Sequence, residues 1–208
     1  EMAQVRQTLR DIGVPALMTM AAEAFFDRSR SSGLADSGED GIVECGSCSY
    51  AANRERAEAR AGEAAVWPED GAPLETVPTP NARTIEEVSK FLGVPPGRLI
   101  KTLIYVADGR PVAALVPGDR ELNEIKLRNA LGARALQLAD DATIERVTGA
   151  PVGFAGPRGL QIPIWADHRL KGCRGAVTGA NQADTHAIHF DLARDAGAPV
   201  AFADLSFA

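Results

Sequence analysis

Cysteine is scarce. There are three in 208 residues, and two of them share one C-x-x-C, Cys45 and Cys48. So few exclude a disulfide framework of the kind that small secreted domains rely on. A structural zinc site needs four ligands, often two such pairs. Cys173 stands alone, with no histidine near it in a ligand spacing, so Cys45 and Cys48 are either plain thiols or half of a site without its other half. The histidines number three, and His186 and His189 lie three apart in a strand-like stretch, which turns them to opposite faces. No metal and no cofactor is expected. No apolar run approaches the roughly 20 residues that span a bilayer. The opening EMAQVRQTLRDIGV is amphipathic and charged, unlike a secretory signal, so the chain is expected to be cytoplasmic with no membrane partner. Basic charge is also short, with a net charge of −6, and this removes any global attraction to nucleic acid. An RNA partner must be gripped by a local patch or only at its end. No G-x-S-x-G, histidine–glutamate metal motif or phosphate-binding loop is present, and no internal repeat.

What is present is a sequence of alternating helices and strands. Met2, Val5, Leu9 and Ile12 mark a helix face, DRSRSSGLADSGEDG (27–41) a polar loop, and AANRERAEARAGEAA (51–65) a run of helix formers. Four prolines in WPEDGAPLETVPTPN (67–81) suggest a linker, which divides an N-terminal segment (1–66) from a domain over 67–208. Thr84 and Glu87 form a capping box for a helix that buries Ile85, Val88, Phe91 and Leu92 and stops at Gly93. Strands are expected over 99–107 and 111–118, joined as a hairpin, then a helix over 120–132, a strand over 133–139 and a helix over 140–147. The C-terminal part reads as strands at 161–167, 174–180, 185–192 and 199–205. This is an α/β domain with a mixed sheet flanked by helices, without the regular alternation of a doubly wound fold.

Two features invite chemistry. Lys101 lies in LIKTLIYVA on the side of Leu99, Leu103 and Tyr105, with Ile100, Thr102 and Ile104 opposite. Both sides are mostly apolar, so the lysine must either snorkel to water or line a pocket. GAPVGFAGPRGL (149–160) packs four glycines and two prolines into twelve positions and cannot be a regular element. It is either a connecting surface loop or one whose backbone N–H groups point at a ligand.

Taken in order, the segments resemble a known family. LADSGEDGIVECGSCSYAANRERAEA (34–59) resembles the part of bacterial prolyl-tRNA synthetases that leads into their inserted editing domain. PTPNARTIEEVSKFLGVPPGRLIKTLIYVADG (78–109), PGDRELNEIKLRNALG (117–132), GFAGPRGLQIPIWADHRL (153–170) and TGANQADTHAIHFDLARD (178–195) resemble that insertion, a YbaK-type deacylase. The resemblance implies a mixed, mostly antiparallel sheet and hydrolysis of mischarged tRNA(Pro), chiefly Ala-tRNA(Pro). A proline pocket cannot exclude the smaller alanine sterically, and a lost methylene discriminates by only about 1–3 kcal/mol. A second hydrolytic site repairs the error.

By the same resemblance, the family's pocket lysine falls on Lys101 and its G-x-x-x-P loop on Gly153–Phe154–Ala155–Gly156–Pro157. Its histidine falls on His186 and its aspartate on Asp167. Lys101, Gly153, Gly156 and His186 would be catalytic. Thr102, Phe154, Ala155, Pro157, Asp167 and Asn181 would bind substrate. Backbone N–H groups of a solvent-facing loop, with Gly156 at positive φ, would hold the oxyanion. The substrate's ribose hydroxyl and a water would handle the protons. Partners implied are the tRNA(Pro) acceptor end and prolyl-tRNA synthetase or an elongation factor. The arginine-bearing motifs of class II synthetases are absent from the sequence, so no proline activation is expected. The competing reading is a non-catalytic, degenerate editing domain that binds tRNA or a synthetase.

Overall fold

The structure, a computed structural model, describes residues 41–44, 47, 50–53, 56, 57, 67 and 71–207. The expected helix over 2–12, nearly all of the loop over 27–41, and Cys45 and Cys48 lie outside the described residues. The fold below is that of the compact unit Val43–Ala208. Strands β1 (Ile42–Glu44) and β2 (Ala51–Asn53) pair as a small sheet. The helix expected from residue 51 therefore does not begin there. Pairing overrides helix propensity at Ala51–Asn53, and the N–H groups of Arg56 and Ala57 both turn back to the Asn53 carbonyl at 2.8 Å.

The main sheet has eight strands: β3 (Glu75–Pro78), β4 (Leu99–Ala107), β5 (Arg110–Pro117), β6 (Leu136–Leu138), β7 (Ile164–Asp167), β8 (Ala176–Gly179), β9 (Thr185–Phe190) and β10 (Val200–Ala203). Their order is β10-β7-β5-β4-β8-β9-β3, with β6 on β4 as well. The β4–β5, β4–β6, β8–β9 and β3–β9 ladders are antiparallel, and β4–β8, β5–β7 and β7–β10 are parallel. The fold is thus the mixed, mostly antiparallel α/β sheet expected.

Helix α1 (Ile85–Leu92) starts at Thr84, whose hydroxyl accepts from the Glu87 N–H while the Glu87 carboxylate accepts from the Thr84 N–H. Gly93 ends it in the left-handed conformation at φ 68°. Val88 is buried on this helix, but Phe91 is 53% exposed, contrary to its expected place in the buried face. The stripe that packs is Ile85, Val88 and Leu92, at i, i+3 and i+7, and Phe91 falls beside it.

Helix α2 (Glu124–Leu131) starts later than residue 120 because Asn123 caps it, its side-chain oxygen accepting from the N–H groups of Ile125 and Lys126. Helix α3 (Asp141–Thr148) is capped by Asp140, and a short α4 (Leu192–Asp195) follows β9. Ile100, Ile104, Leu115, Ile164 and Phe190 form the core on one face of the sheet. Tyr105, Val112, Val116, Leu127 and Leu205 form it on the other. Among the described residues no helix is long and apolar enough to cross a membrane.

Candidate functional site

The strand β4 divides its edge. β8 pairs only with Leu99 and Ile100, and β6 only with Tyr105–Ala107. Between them a cleft of about 290 Å³ opens. Its wall includes Lys101 and Thr102 from β4, Gly153 and Ala155 from the glycine-rich loop, Thr178 and Gly179 from β8, and His186 from β9. The charged residues lining it are Arg83 and Lys101, and none of its lining residues is acidic. A chain of net charge −6 thus keeps carboxylates out of this one wall.

Lys101 resolves its own dilemma by snorkelling. Its Nζ donates to the Arg120 carbonyl at 2.9 Å and pairs with Glu121 Oε1 at 2.7 Å, a residue 80% exposed, while its stem lines the cleft. Thr102 is different. Its hydroxyl is buried without a hydrogen-bond partner, an uncommon state for a buried polar atom.

His186 is 5% exposed, and its Nδ1 lies 2.6 Å from the hydroxyl of the fully buried Thr79. Its ring meets Phe154 edge-on at 5.9 Å. Burial lowers its pKa below the ordinary histidine value, so the ring is neutral in neutral solution. Thr79 comes from the proline-rich PTPN stretch, where sequence alone offered no reason to look for a partner to His186.

The loop departs from expectation at several residues. Phe154, Gly156 and Pro157 are buried, while Val152, Gly153, Arg158 and Gly159 are exposed, so the segment is solvent-facing only in part. Phe154 is wholly enclosed between His186 and the Arg83 guanidinium, which lies 5.7 Å from its ring centroid. It supports the cleft from behind and offers substrate no surface. Gly153 has φ 99°, but Gly156 does not adopt positive φ. Glycine is needed at 156 for a different reason: a Cβ there would collide with the Gly179 backbone carbonyl. The Gly156 N–H is also taken, donating to Asn181 Oδ1 at 2.7 Å, and so is not a free oxyanion donor. Asn181 braces the loop further, its amide donating to the carbonyls of Gly156 and Arg158. The loop's unpaired donors among the described residues include the N–H groups of Gly153 and Ala155, both in the cleft wall.

Asp167 is not at the cleft. It is fully buried at the end of β7, where Oδ2 accepts from the N–H groups of Leu205 and Ser206 and from the Ser206 hydroxyl, and Oδ1 from the Arg169 N–H. Burial alone would raise its pKa, but these donors and the Arg169 charge outweigh it and hold the carboxyl below the usual aspartate value. It fastens the C-terminal segment here and lines no part of the cleft, away from the substrate-binding place that the resemblance implied. Cys173 is a buried free thiol whose pKa burial pushes up to about 12.

Lys101, His186 and residues of the glycine-rich loop thus meet at one cleft in the split edge of a mixed α/β sheet. Residues 79–192 match the model of the aminoacyl-tRNA editing domain, and the chain belongs to that family. It is 58% identical over 174 residues to the proline–tRNA ligase of Nitratidesulfovibrio vulgaris, covering 83% of this chain and 30% of the ligase. It is 54% identical over 172 residues to that of Geobacter sulfurreducens, with the same coverage. The chain therefore spans under a third of the length of these relatives. A crystal structure of a proposed trans-editing enzyme for prolyl tRNA synthetase superposes with a TM-score of 0.57 at 26% identity, over 65% of this chain and 87% of that one. This is an editing domain of the kind associated with prolyl-tRNA synthetase.

Proposed function

We propose that this domain hydrolyses the ester of Ala-tRNA(Pro). The observation that carries the reading is the pair of unpaired N–H groups, Gly153 and Ala155, beside His186 in a cleft without carboxylates. Water adds to the ester carbonyl carbon, and the carbonyl oxygen takes the negative charge. Two preorganised donors in a low-dielectric wall stabilise that oxyanion, and one well-placed donor contributes roughly 2.7–4 kcal/mol. The intermediate then collapses, the ester C–O bond breaks, and the departing ribose oxygen takes up the proton that water supplied. The products are alanine and tRNA. No protein nucleophile enters the scheme. The ribose hydroxyl beside the ester relays the proton, and His186, neutral and held by Thr79, orders the water. Arg83, and Lys101 once its ammonium exchanges the exposed Glu121 for the ligand, give the cleft positive charge to meet the terminal phosphate of an acceptor end.

Deacylation should be measured on Ala-tRNA(Pro) beside Cys-, Ser- and Pro-tRNA(Pro), with the Lys101→Ala variant in parallel. The alanyl ester should be hydrolysed well above its spontaneous rate and the prolyl ester should not. Lys101→Ala should lose most of that activity and keep its circular dichroism. Binding of tRNA(Pro) with no hydrolysis of any ester would overturn the proposal in favour of a binding module.

A further inference from the structure

Charge is laid unevenly along the chain. From Pro151 to Ala183 there are four arginines and lysines and one acidic residue, Asp167, in a protein of net charge −6. Asp167 is fully buried, and Arg169 is held by it and by Ser206. Arg158, Lys171 and Arg174 remain, all exposed. None of the three has an ion pair among the described residues, and the Lys171 ammonium lies over the Phe202 ring, 5.8 Å from its centroid. Phe202 and Arg174 line a groove of about 700 Å³ beside β10, the strand that ends the sheet order. The groove adjoins the glycine-rich loop. Its Gly197 donates an N–H to the Pro157 carbonyl at 3.0 Å, directly before Arg158, and a Cβ at 197 would collide with the backbone of Gly159 and Leu160. Arg194 lies 3.3 Å from Asp191 and 2.8 Å from Asp195. Burial alone would raise the Asp195 pKa, but bonds from Arg194 and the Asp191 N–H and the charges of Arg194 and Arg158 hold it below the usual aspartate value. Four cations thus stand against two carboxylates on this flank.

We propose that Arg158, Lys171 and Arg174 hold the phosphate backbone of the acceptor arm whose end enters the cleft. The inference rests on the deacylase reading above. An acceptor end brings a duplex with it, and the phosphates of that duplex must pass one side of the cleft. Helices α1 and α3 also lend residues to the cleft wall. They carry Glu86 and Glu87 against Lys90, and Asp141 and Glu145, behind the Asp140 cap, against Arg146. Glu121 stands beside Lys101. These sides repel phosphate. The flank of the glycine-rich loop is the positive one, and it continues from the cleft wall at Gly153 and Ala155 through Arg158 to the groove. Contacts of this kind fix the register of a duplex without reading its sequence. They also give a chain of net negative charge the local patch that binding of RNA requires.

The test combines Arg158→Ala, Lys171→Ala and Arg174→Ala in one variant. Uncharged tRNA(Pro) is titrated by fluorescence anisotropy across a salt series. The non-hydrolysable 3′-deoxy-3′-(L-alanylamido)adenosine, which reaches the cleft alone, is titrated by calorimetry, and deacylation of Ala-tRNA(Pro) is followed in parallel. The slope of log affinity against log salt should be shallower in the variant by about 2–3, near one for each lost phosphate contact. KM for Ala-tRNA(Pro) should rise about tenfold or more at ~0.1 M salt, with kcat and the affinity for the adenosine probe held. An unchanged slope and KM, or no binding of tRNA by the unaltered protein, overturns the inference, and deacylation by the unaltered protein still decides the deacylase reading separately. An equal loss of affinity for tRNA and for the adenosine probe also overturns it, since the three residues would then act within the cleft. Binding of poly-L-glutamate through these residues, with tRNA indifferent to their loss, overturns it in favour of an acidic protein segment. The expected loss of tRNA affinity and slope, in a protein that hydrolyses no ester, upholds the surface and overturns the deacylase reading.

Discussion

His186 owes its chemical state to its surroundings. Thr79, just after β3, holds Nδ1, Phe154 meets the ring edge-on, and Nε2 makes no hydrogen bond among the described residues. Burial depresses its pKa below 6.5. A depressed folded pKa means that the unfolded chain takes up the proton first as pH falls. The stability linked to His186 is therefore present above about pH 6.5 and lost as pH falls through the folded value. The same neutral ring serves the proposed reaction. After subtraction of spontaneous hydrolysis, kcat/KM for Ala-tRNA(Pro) should show no histidine limb from pH 6.5 to 8 and should fall only at lower pH, about the depressed pKa. Activity that falls as pH rises through the histidine range would show that the imidazolium is the working form, and an acid limb centred at 6.5 or above would show that the group titrating there is not His186.

At the scale of the element, the loop 149–160 is shaped by contact and not by backbone permissiveness alone. Gly156 lies against Gly179 of β8, Asn181 clamps its N–H and C=O, and Phe154 and Pro157 are buried beneath. Gly156→Val forces two backbones apart, and overpacking of this sort costs about 1–3 kcal/mol and occasionally more. The thermal midpoint should drop clearly, and deacylation should fall in proportion to the fraction folded. A variant with the parental midpoint and lost turnover would show that the Gly156 backbone acts directly on substrate. The capping signals were legible in the sequence at this scale. Thr84–Glu87, Asp140 and Gly93 act locally, through side chains and φ values within a few residues. Phe91 was not legible, because a helical stripe has a centre that only its neighbours define.

Across the whole molecule, Asp167 ties strand β7 to the last residues of the chain. Its carboxylate takes four hydrogen bonds within one buried pocket and lies 3.4 Å from the Arg169 guanidinium. Removing it leaves several buried donors without an acceptor, so Asp167→Ala should lose roughly 3–5 kcal/mol in urea unfolding. Because its folded pKa is lowered, its contribution is present above the ordinary aspartate value and disappears as pH falls through the folded one. The variant's stability should accordingly vary less with pH in that acid range. Deacylation per folded molecule should match the parent. An Asp167→Ala protein of parental stability that no longer hydrolyses Ala-tRNA(Pro) would return this residue to the site.

The chain by itself determined the mixed α/β class, most helix and strand positions, and the segments from which the cleft is drawn. Those follow from short-range physics: periodicity, capping, and the punctuation of glycine and proline. Resemblance added Lys101, Gly153, Ala155 and His186, whose residues line one wall in the folded protein. Tertiary structure decided what each group is free to do. It took the Gly156 N–H for Asn181, turned Asp167 to the C-terminal segment, sent the Lys101 ammonium to Glu121, and left the Thr102 hydroxyl buried without a partner. Sequence cannot fix these outcomes, because each hydrogen-bond partner lies 19 or more residues away and is chosen by the register of strands that meet only in the folded sheet.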